Sequence, residues 1–141
     1  MRALAITVLL PLLAVLRLQA QTTLYWDTNG TTPGAGTTPD AKWRDAGGAN
    51  KNWNTLSDGT GSTQVWSADA VAIFSAGSDA AGSYAVTVSG TQNVDSIFIE
   101  DGSPAFSSGT LNLTGTVPEI DVASGLTATF GTKLYGSNGL V

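Results

Sequence analysis

The chain has 141 residues and a formal net charge of −5, with eleven acidic residues, six basic residues, no histidine and no cysteine. This length allows at most one ordinary domain once any leader is removed. The absence of histidine and cysteine excludes Ser-His-Asp and Cys-His nucleophile systems, zinc sites built from Cys and His, and disulfides.

Residues 1–20 have the features of a secretory signal peptide. Arg2 provides the positive n-region, residues 3–16 form an apolar run, and Ala20 provides a small residue at the expected cleavage point. The run stops at Arg17, so it is shorter than the roughly 20 apolar residues that a membrane span needs. We therefore expect a cleaved, exported chain with no membrane span, secreted or held at the bacterial cell surface.

Cleavage after Ala20 removes two arginines and changes the formal net charge from −5 to −7. The cations that remain are Lys42, Arg44, Lys51 and Lys133. Four scattered cations do not form a surface that grips phosphates, which argues against nucleic acid and against an anionic membrane face as partners.

Residues 21–75 form a turn-rich region that contains all four tryptophans of the chain. Strong turn chemistry occurs at 27–30 (Asp-Thr-Asn-Gly) and at 33–36 (Pro-Gly-Ala-Gly). No stretch keeps an apolar period of 3.6 residues long enough for a helix. We predict an irregular N-terminal cap whose interior is filled by Trp26, Trp43, Trp53 and Trp66.

The same four tryptophans are also the candidate glycan-stacking residues, because exposed aromatic rings can stack on sugars. Burial of the rings favours the cap, and a coplanar exposed row favours sugar binding. The 27–30 segment resembles the start of a calcium loop, but Gly36 stands where the bidentate acid is needed. We therefore predict an Asx turn there and no metal or cofactor.

Residues 76–141 change to short alternating strands, each closed by glycine. The pattern predicts strands at 84–88, 96–100, 110–114, 119–122 and 126–130, with one apolar and one polar face. The predicted core face comprises Tyr84, Val86, Val88, Ile97, Ile99, Leu111, Leu113, Ile120, Val122, Leu126, Ala128 and Phe130. The chain is therefore predicted to be all-β. It is either an antiparallel β-sandwich or a solenoid, and the short strands without a clear two-residue hairpin signal favour the solenoid.

Two acidic pairs, Glu100 with Asp101 and Glu119 with Asp121, are the close carboxylates of the strand region. A glycosidase needs two carboxyl groups about 5–10 Å apart across its substrate. Glu119 and Asp121 alternate with Ile120, which places both on the polar face, where solvation is their usual role. We predict no catalytic residue and no enzyme activity.

Several segments together resemble a known family. They are Tyr-Trp-Asp at 25–27, Asn-Trp-Asn at 52–54, Asp-Ala-Val-Ala-Ile-Phe at 69–74, and the Gly-rich strands at 84–94, 109–116 and 136–140. In this order they resemble the N-terminal regions of bacterial proteins with autotransporter-associated β-strand repeats. Ile73 is one extra residue relative to the family's Asp-x-Ala-x-Phe element.

The resemblance implies a right-handed parallel β-helix passenger, exported and displayed at the cell surface or shed from it. Family members typically continue with further β-solenoid repeats, whereas this sequence stops at Val141. We therefore expect a truncated passenger whose last rung exposes unpaired strand edges. The predicted function is a non-catalytic structural or adhesin-like scaffold that contacts surface glycans or proteins. The alternative is a carbohydrate-binding or polysaccharide-degrading module.

Overall fold

The computed structural model describes residues 20–44 and 50–140. Apart from Ala20, the predicted signal peptide lies outside the described residues. Within them the chain is all-β and has no helix. The strands are β1 (Thr23–Trp26), β2 (Ala41–Trp43), β3 (Trp53–Asn54), β4 (Ala70–Phe74), β5 (Ser83–Val88), β6 (Thr91–Ile99), β7 (Ser103–Leu113), β8 (Ile120–Val122) and β9 (Thr129–Gly136).

All nine strands belong to one mixed sheet. Seven of them follow the order β2-β5-β7-β6-β4-β1-β3, while β8 pairs with β6 and β9 pairs with β7. Every pairing between these strands is parallel except that of β1 with β3. This arrangement departs from the antiparallel sandwich considered above, which needs two sheets built from antiparallel neighbours.

The parallel pairs fall into three columns. The first column contains Leu24, Ala72, Ile97 and Ile120. The second contains Ala41, Val86, Phe106 and Phe130, and the third contains Gln92, Leu111 and Leu134. Each strand therefore lies in register on the strand that preceded it in the same column.

The core lies on the side of the sheet that the alternating pattern predicted. Val86, Ile97 and Leu111 are all fully buried, as expected from their positions. The apolar residues of the last part of the chain are only partly buried, although they pack on the same core: Ile120, Val122, Leu126, Ala128 and Phe130. The predicted core face is thus confirmed, with burial decreasing toward the C-terminal end.

Three strand boundaries differ from the prediction. β6 begins at Thr91 rather than near 96, and β7 begins at Ser103, seven residues before the predicted strand. The predicted strand at 126–130 is shifted, because pairing of β9 on β7 begins only at Thr129. Parallel neighbours pair with β7 at residues 103–107, including Pro104, and again at residues 110–113, so the ladder overrides the turn propensity of the first segment.

The turn at Ser108 and Gly109 lies directly on the turn of the preceding strands. A Cβ at Gly109 would lie 2.6 Å from the Gly90 carbonyl oxygen and 2.7 Å from the Val88 carbonyl oxygen. The Thr110 N–H donates to the Gly90 carbonyl at 2.9 Å. Glycine is required here because the two turns approach more closely than any side chain allows.

Candidate functional site

The four candidate tryptophans come from separate parts of the N-terminal region and meet in the core. Trp26 ends β1, Trp43 ends β2, Trp53 begins β3, and Trp66 lies in the segment before β4. Their exposed fractions are 0%, 0%, 1% and 2%. We call these four residues the tryptophan cluster.

Edge-to-face contacts hold the tryptophan cluster together. The ring centroids of Trp43 lie 5.0 Å from those of Trp53 and 4.9 Å from those of Trp66, with steep interplanar angles. Trp26 meets Trp53 edge to face at 5.1 Å. Such geometry places the positive edge of one ring against the negative face of another, which adds to the burial term.

Phenylalanines continue the cluster along the core. Phe74 lies 5.4 Å from Trp26 and 5.0 Å from Phe106, and Phe106 stacks on Phe130 at 4.8 Å with an interplanar angle of 10°. Phe106 was not among the predicted core residues, because Ser-Pro-Ala-Phe-Ser at 103–107 has the composition of a turn. The one local sign of a strand was that Pro104 and Phe106 are two residues apart, which places them on the same face of a strand.

Two of the four indole N–H groups donate to backbone carbonyls. Trp26 Nε1 donates to Pro39 at 2.8 Å, and Trp66 Nε1 donates to Asn93 at 3.1 Å. Nε1 of Trp43 and Nε1 of Trp53 are buried and have no hydrogen-bond partner among the described residues. The hydrogen bonds of Trp26 and Trp66 attach these rings to neighbouring backbone, which is a structural role.

Glycan stacking requires an exposed ring face, and the tryptophan cluster presents none in this arrangement. Each ring is covered by other aromatic rings or by the strands around it. The structure therefore brings the four candidate residues together, but as a buried cluster rather than as an exposed row. A sugar could reach these rings only after the N-terminal region had opened.

A buried polar pair lies beside the cluster. Asn54 Nδ2 donates to Asp27 Oδ2 at 2.7 Å and to the Gly61 carbonyl at 2.7 Å, and both side chains are on fully buried residues. Burial raises the pKa of the Asp27 carboxyl above its ordinary value, against the opposing effect of its hydrogen bonds from Asn54 and from the backbone of Asn29. The pair links β1 to β3.

The 27–30 segment forms the predicted Asx turn. The Asn29 N–H donates to Asp27 Oδ1 at 3.0 Å, which uses that oxygen within the turn itself. Among the described residues no group of three or more acidic side chains could hold a metal ion. The oxygens of Asp27 are engaged by Asn29 and Asn54 rather than arranged around a cation site.

A second carboxylate holds the glycine-rich loop at 33–36. Asp79 accepts hydrogen bonds from the Ala35 N–H at 2.8 Å and from the Gly36 N–H at 3.1 Å. Gly34 has φ +88°, and a Cβ there would lie 2.2 Å from Asp79 Oδ1. The loop therefore needs glycine both for its backbone conformation and for the approach of Asp79.

The two acidic pairs are placed apart from this buried region. Asp101 Oδ2 accepts from the Ala80 N–H at 2.8 Å, which is a role in a turn. Glu100, Glu119 and Asp121 are exposed. The exposure of Glu119 and Asp121 agrees with the solvated role that the alternating pattern predicted for them.

The C-terminal end of the sheet contains an open apolar surface. A shallow cavity of about 260 Å³ is lined by Leu113, Leu134, Tyr135, Gly136, Gly139 and Leu140. Leu134, Tyr135 and Leu140 have exposed fractions of 43%, 70% and 55%. Unpaired strand edges were predicted at this end, but these residues were not, because their exposure depends on how β9 lies on β7.

Comparison of the chain with protein-family models, with curated proteins and with solved structures found no match. Within residues 20–44 and 50–140, no helix has the length and hydrophobicity that a transmembrane helix requires.

Proposed function

We propose that the chain forms the N-terminal end of a right-handed parallel β-solenoid that is exported and acts as a non-catalytic scaffold at or outside the bacterial cell surface. The proposed mechanism is geometric. Backbone ladders between successive rungs make a stiff body, and outward loops meet surface glycans or proteins.

The observation that carries this proposal is the recurrence of parallel partners in three columns, at similar spacing over the last two circuits of the chain. Ile97 pairs with Ile120, Phe106 pairs with Phe130, and Leu111 pairs with Leu134. These separations are 23, 24 and 23 residues, and those of the preceding circuit are 25, 20 and 19 residues, at Ala72–Ile97, Val86–Phe106 and Gln92–Leu111. A chain that coils into rungs produces such recurrence, because each circuit returns the chain to the same column after a similar number of residues.

The N-terminal end supports the assignment of a cap. A solenoid must cover its first rung, and antiparallel β3 lies across β1 through the pairs Tyr25–Asn54 and Trp26–Trp53. The tryptophan cluster fills the space beneath it. Large aromatic rings are suited to this task because each buries much apolar area.

A pair of amide side chains on adjacent strands also favours a scaffold. Asn112 Nδ2 donates to Asn93 Oδ1 at 2.9 Å, and these residues are paired partners on successive strands of one column. Stacked amides of this kind add side-chain hydrogen bonds to the backbone ladder. They stiffen the body without forming a pocket for chemistry.

Disulfide trapping tests the proposed coiling, because the chain has no native cysteine. Thr91, Thr110 and Lys133 occupy successive positions of one column. The double variants Thr91→Cys with Thr110→Cys, and Thr110→Cys with Lys133→Cys, should form intramolecular disulfides on mild oxidation. Strands one spacing apart, about 4.8 Å, are within disulfide reach.

The matched control is Thr91→Cys with Lys133→Cys, whose residues are two strand spacings apart, about 9.6 Å. This pair should not form a disulfide, because disulfide-bonded Cα atoms lie within about 7 Å of each other. Peptide mapping by mass spectrometry at low protein concentration reads out all three variants. Equal trapping in the control would contradict stacked rungs.

Export and activity are tested on the full chain with a C-terminal tag in a Gram-negative host. The proposal expects a product without residues 1–20, either in the medium or accessible to added protease on intact cells. It also expects no release of reducing sugar ends from bacterial or plant polysaccharides. A cytoplasmic product that retains residues 1–20 would refute export. Release of reducing sugar ends would show that the chain is an enzyme rather than a non-catalytic scaffold.

A further inference from the structure

The C-terminal end of the sheet carries two strand edges without a partner among the described residues. β8 pairs with β6 and β9 pairs with β7, and neither pairs with a further strand on its other side. Their outer N–H and C=O groups are free to accept another strand. At the N-terminal end, by contrast, β3 covers β1.

The surface between these edges is apolar. Phe130 is partly buried and stacks on Phe106 from one side. Leu134 and Leu140 are about half exposed at the rim of the cavity described above. Removal of such a surface from water is favourable, so an occupant that is itself apolar at its centre fits this end.

Charge is distributed unequally over the three columns at this end. Glu119 and Asp121 are exposed at β8, in the first column. Lys133 is exposed on the second part of β9, in the third column, and is the one basic residue after Lys51. Thr129 and Gly131, on the first part of β9, carry no charge.

A second copy of the same end could join this one through a two-fold axis that lies in the end plane. Such a rotation reverses the strand direction, so the edges of the two copies would pair antiparallel. One column of each copy then faces the same column of the other copy, and each of the remaining two columns faces the other one in the partner. Three placements of the axis are possible, and they differ in the charges that they bring together.

Two of the three axis placements bring like charges together and form no pair of opposite charges. An axis through β8 brings Asp121 to the partner's Asp121, and an axis through the second part of β9 brings Lys133 to the partner's Lys133. An axis through residues 129–131 places the acidic β8 edge of each copy beside the edge of the other copy that carries Lys133. The two-fold symmetry produces this contact twice. Opposite charges on adjacent strands stabilise the pairing, and like charges destabilise it.

We infer that two copies of the chain associate end to end about an axis near Phe130, with each β8 edge paired antiparallel to residues 133–136 of the other copy. This inference rests on the proposed solenoid, because only rungs with three columns give these three choices. The partner is thus a second open end of the same chain. The interface has an apolar centre and two charge pairs.

Sedimentation velocity on the full chain, over a wide concentration range at low salt, tests the association. The wild type should show a monomer–dimer equilibrium. Lys133→Glu alone and Asp121→Lys alone should each weaken dimerisation about tenfold or more, because each reverses one member of both charge pairs. Lys51→Glu, an equivalent change outside the proposed interface, should leave the equilibrium unchanged.

Mixing the two single variants gives the decisive result. In a mixed dimer, Asp121 of the first variant meets Lys133 of the second, and Glu at 133 meets Lys at 121, so both charge pairs are restored. The mixture should therefore dimerise more strongly than either variant alone. This readout does not depend on a loss of folding, since the gain occurs between two weakened proteins.

Three outcomes would overturn the inference. They are a wild type that stays monomeric, single variants that dimerise as strongly as the wild type, and a mixture that is no stronger than its components. If neighbouring cysteines still form disulfides in a monomeric chain, only the end-to-end pairing fails. If the cysteine pairs do not trap as expected, the solenoid and the inference fail together.

Discussion

The two ends of the sheet bury similar apolar side chains to different extents. At the N-terminal end the rings of Trp26, Trp43 and Trp53 are fully buried and each contacts several other rings. At the C-terminal end Phe130 stacks on Phe106, and Leu134 is 43% exposed. The burial of an apolar side chain in this sheet therefore depends on whether a further layer of chain covers its strand.

One column shows this within a single kind of side chain. Leu111 and Leu134 are paired partners on adjacent strands, yet Leu111 is fully buried and Leu134 is about half exposed. β9 covers β7, and no described strand covers β9. Stability should therefore be concentrated at the N-terminal end, and the following variants test that distribution.

The largest effect is expected from Trp53→Ala. Its ring is 1% exposed and lies against Trp26, Trp43, Trp66 and Phe74. Removal should lower the free energy of unfolding by about 3–5 kcal/mol, which is the range for large aromatic side chains in cores.

Urea unfolding followed by circular dichroism measures this change. Phe130→Ala is the matched aromatic variant at the other end, and it should cost less than half as much, because its ring is already partly exposed. Equal losses for the two variants would remove the distinction between the ends.

Gly34→Ala should have the next largest effect. A methyl group there would overlap Asp79, which would lose its hydrogen bonds to the Ala35 and Gly36 N–H groups, and the backbone has a left-handed φ. We expect a loss of about 3 kcal/mol from these combined costs.

Gly30→Ala serves as the control for Gly34→Ala, since φ is +80° but no atom lies within 4 Å of the added Cβ. It should cost about 1–2 kcal/mol from backbone strain alone. Thermal unfolding of both variants separates the strain from the steric overlap. A control as unstable as Gly34→Ala would show that Asp79 is not the cause.

A pH-dependent effect is expected at Asp27, because burial raises the pKa of its carboxyl in the folded chain. The folded state then binds this proton more tightly than the unfolded state does. The free energy of unfolding of the wild type, relative to Asp27→Asn, should rise as the pH falls from 7 through the raised pKa, and level off below the ordinary value of 3.8.

Urea unfolding at a series of pH values measures this difference. Tyr84→Phe is the control, since the Tyr84 hydroxyl donates to or accepts from Ser75 and stays neutral across this range. A wild type that loses stability relative to Asp27→Asn on acidification would reverse the assigned sign.

The smallest effect is expected from Leu134→Ala, measured at low protein concentration. Because its side chain is 43% exposed and lies at the rim of the open end, the loss should stay below about 1 kcal/mol. Leu111→Ala, its buried partner on β7, should cost about 2–5 kcal/mol. Similar values for the two leucines would mean that the end is covered in solution.

The sequence predicted the all-β class and the core face well, because a period of two is a direct consequence of strand geometry. Val86, Ile97 and Leu111 were identified from alternation alone and are buried. The first part of β7 was missed, since Pro104 and the flanking serines have turn propensity that the parallel ladder overrides. A ladder is a non-local interaction, so no short window of sequence contains it.

The sequence predicted which residues make up the candidate site but not how they contact one another. The four tryptophans were singled out, but their mutual contacts join residues from three strands and a loop, which spacing along the chain does not reveal. Asp79 was not identified, because its partners Ala35 and Gly36 lie more than 40 residues earlier. Its role is set by loop packing rather than by any local motif.

The spacing between paired strands has a consequence for the cost of closing each circuit of chain. Leu24 pairs with Ala72, 48 positions later, whereas Ile97 pairs with Ile120, 23 positions later. Loop-closure entropy grows only with the logarithm of length, so the longer first circuit costs only about 0.6 kcal/mol more. Closure of the longer first circuit is therefore a small term, and the conformational entropy of ordering its extra residues is the larger cost that burial of the tryptophan cluster must offset.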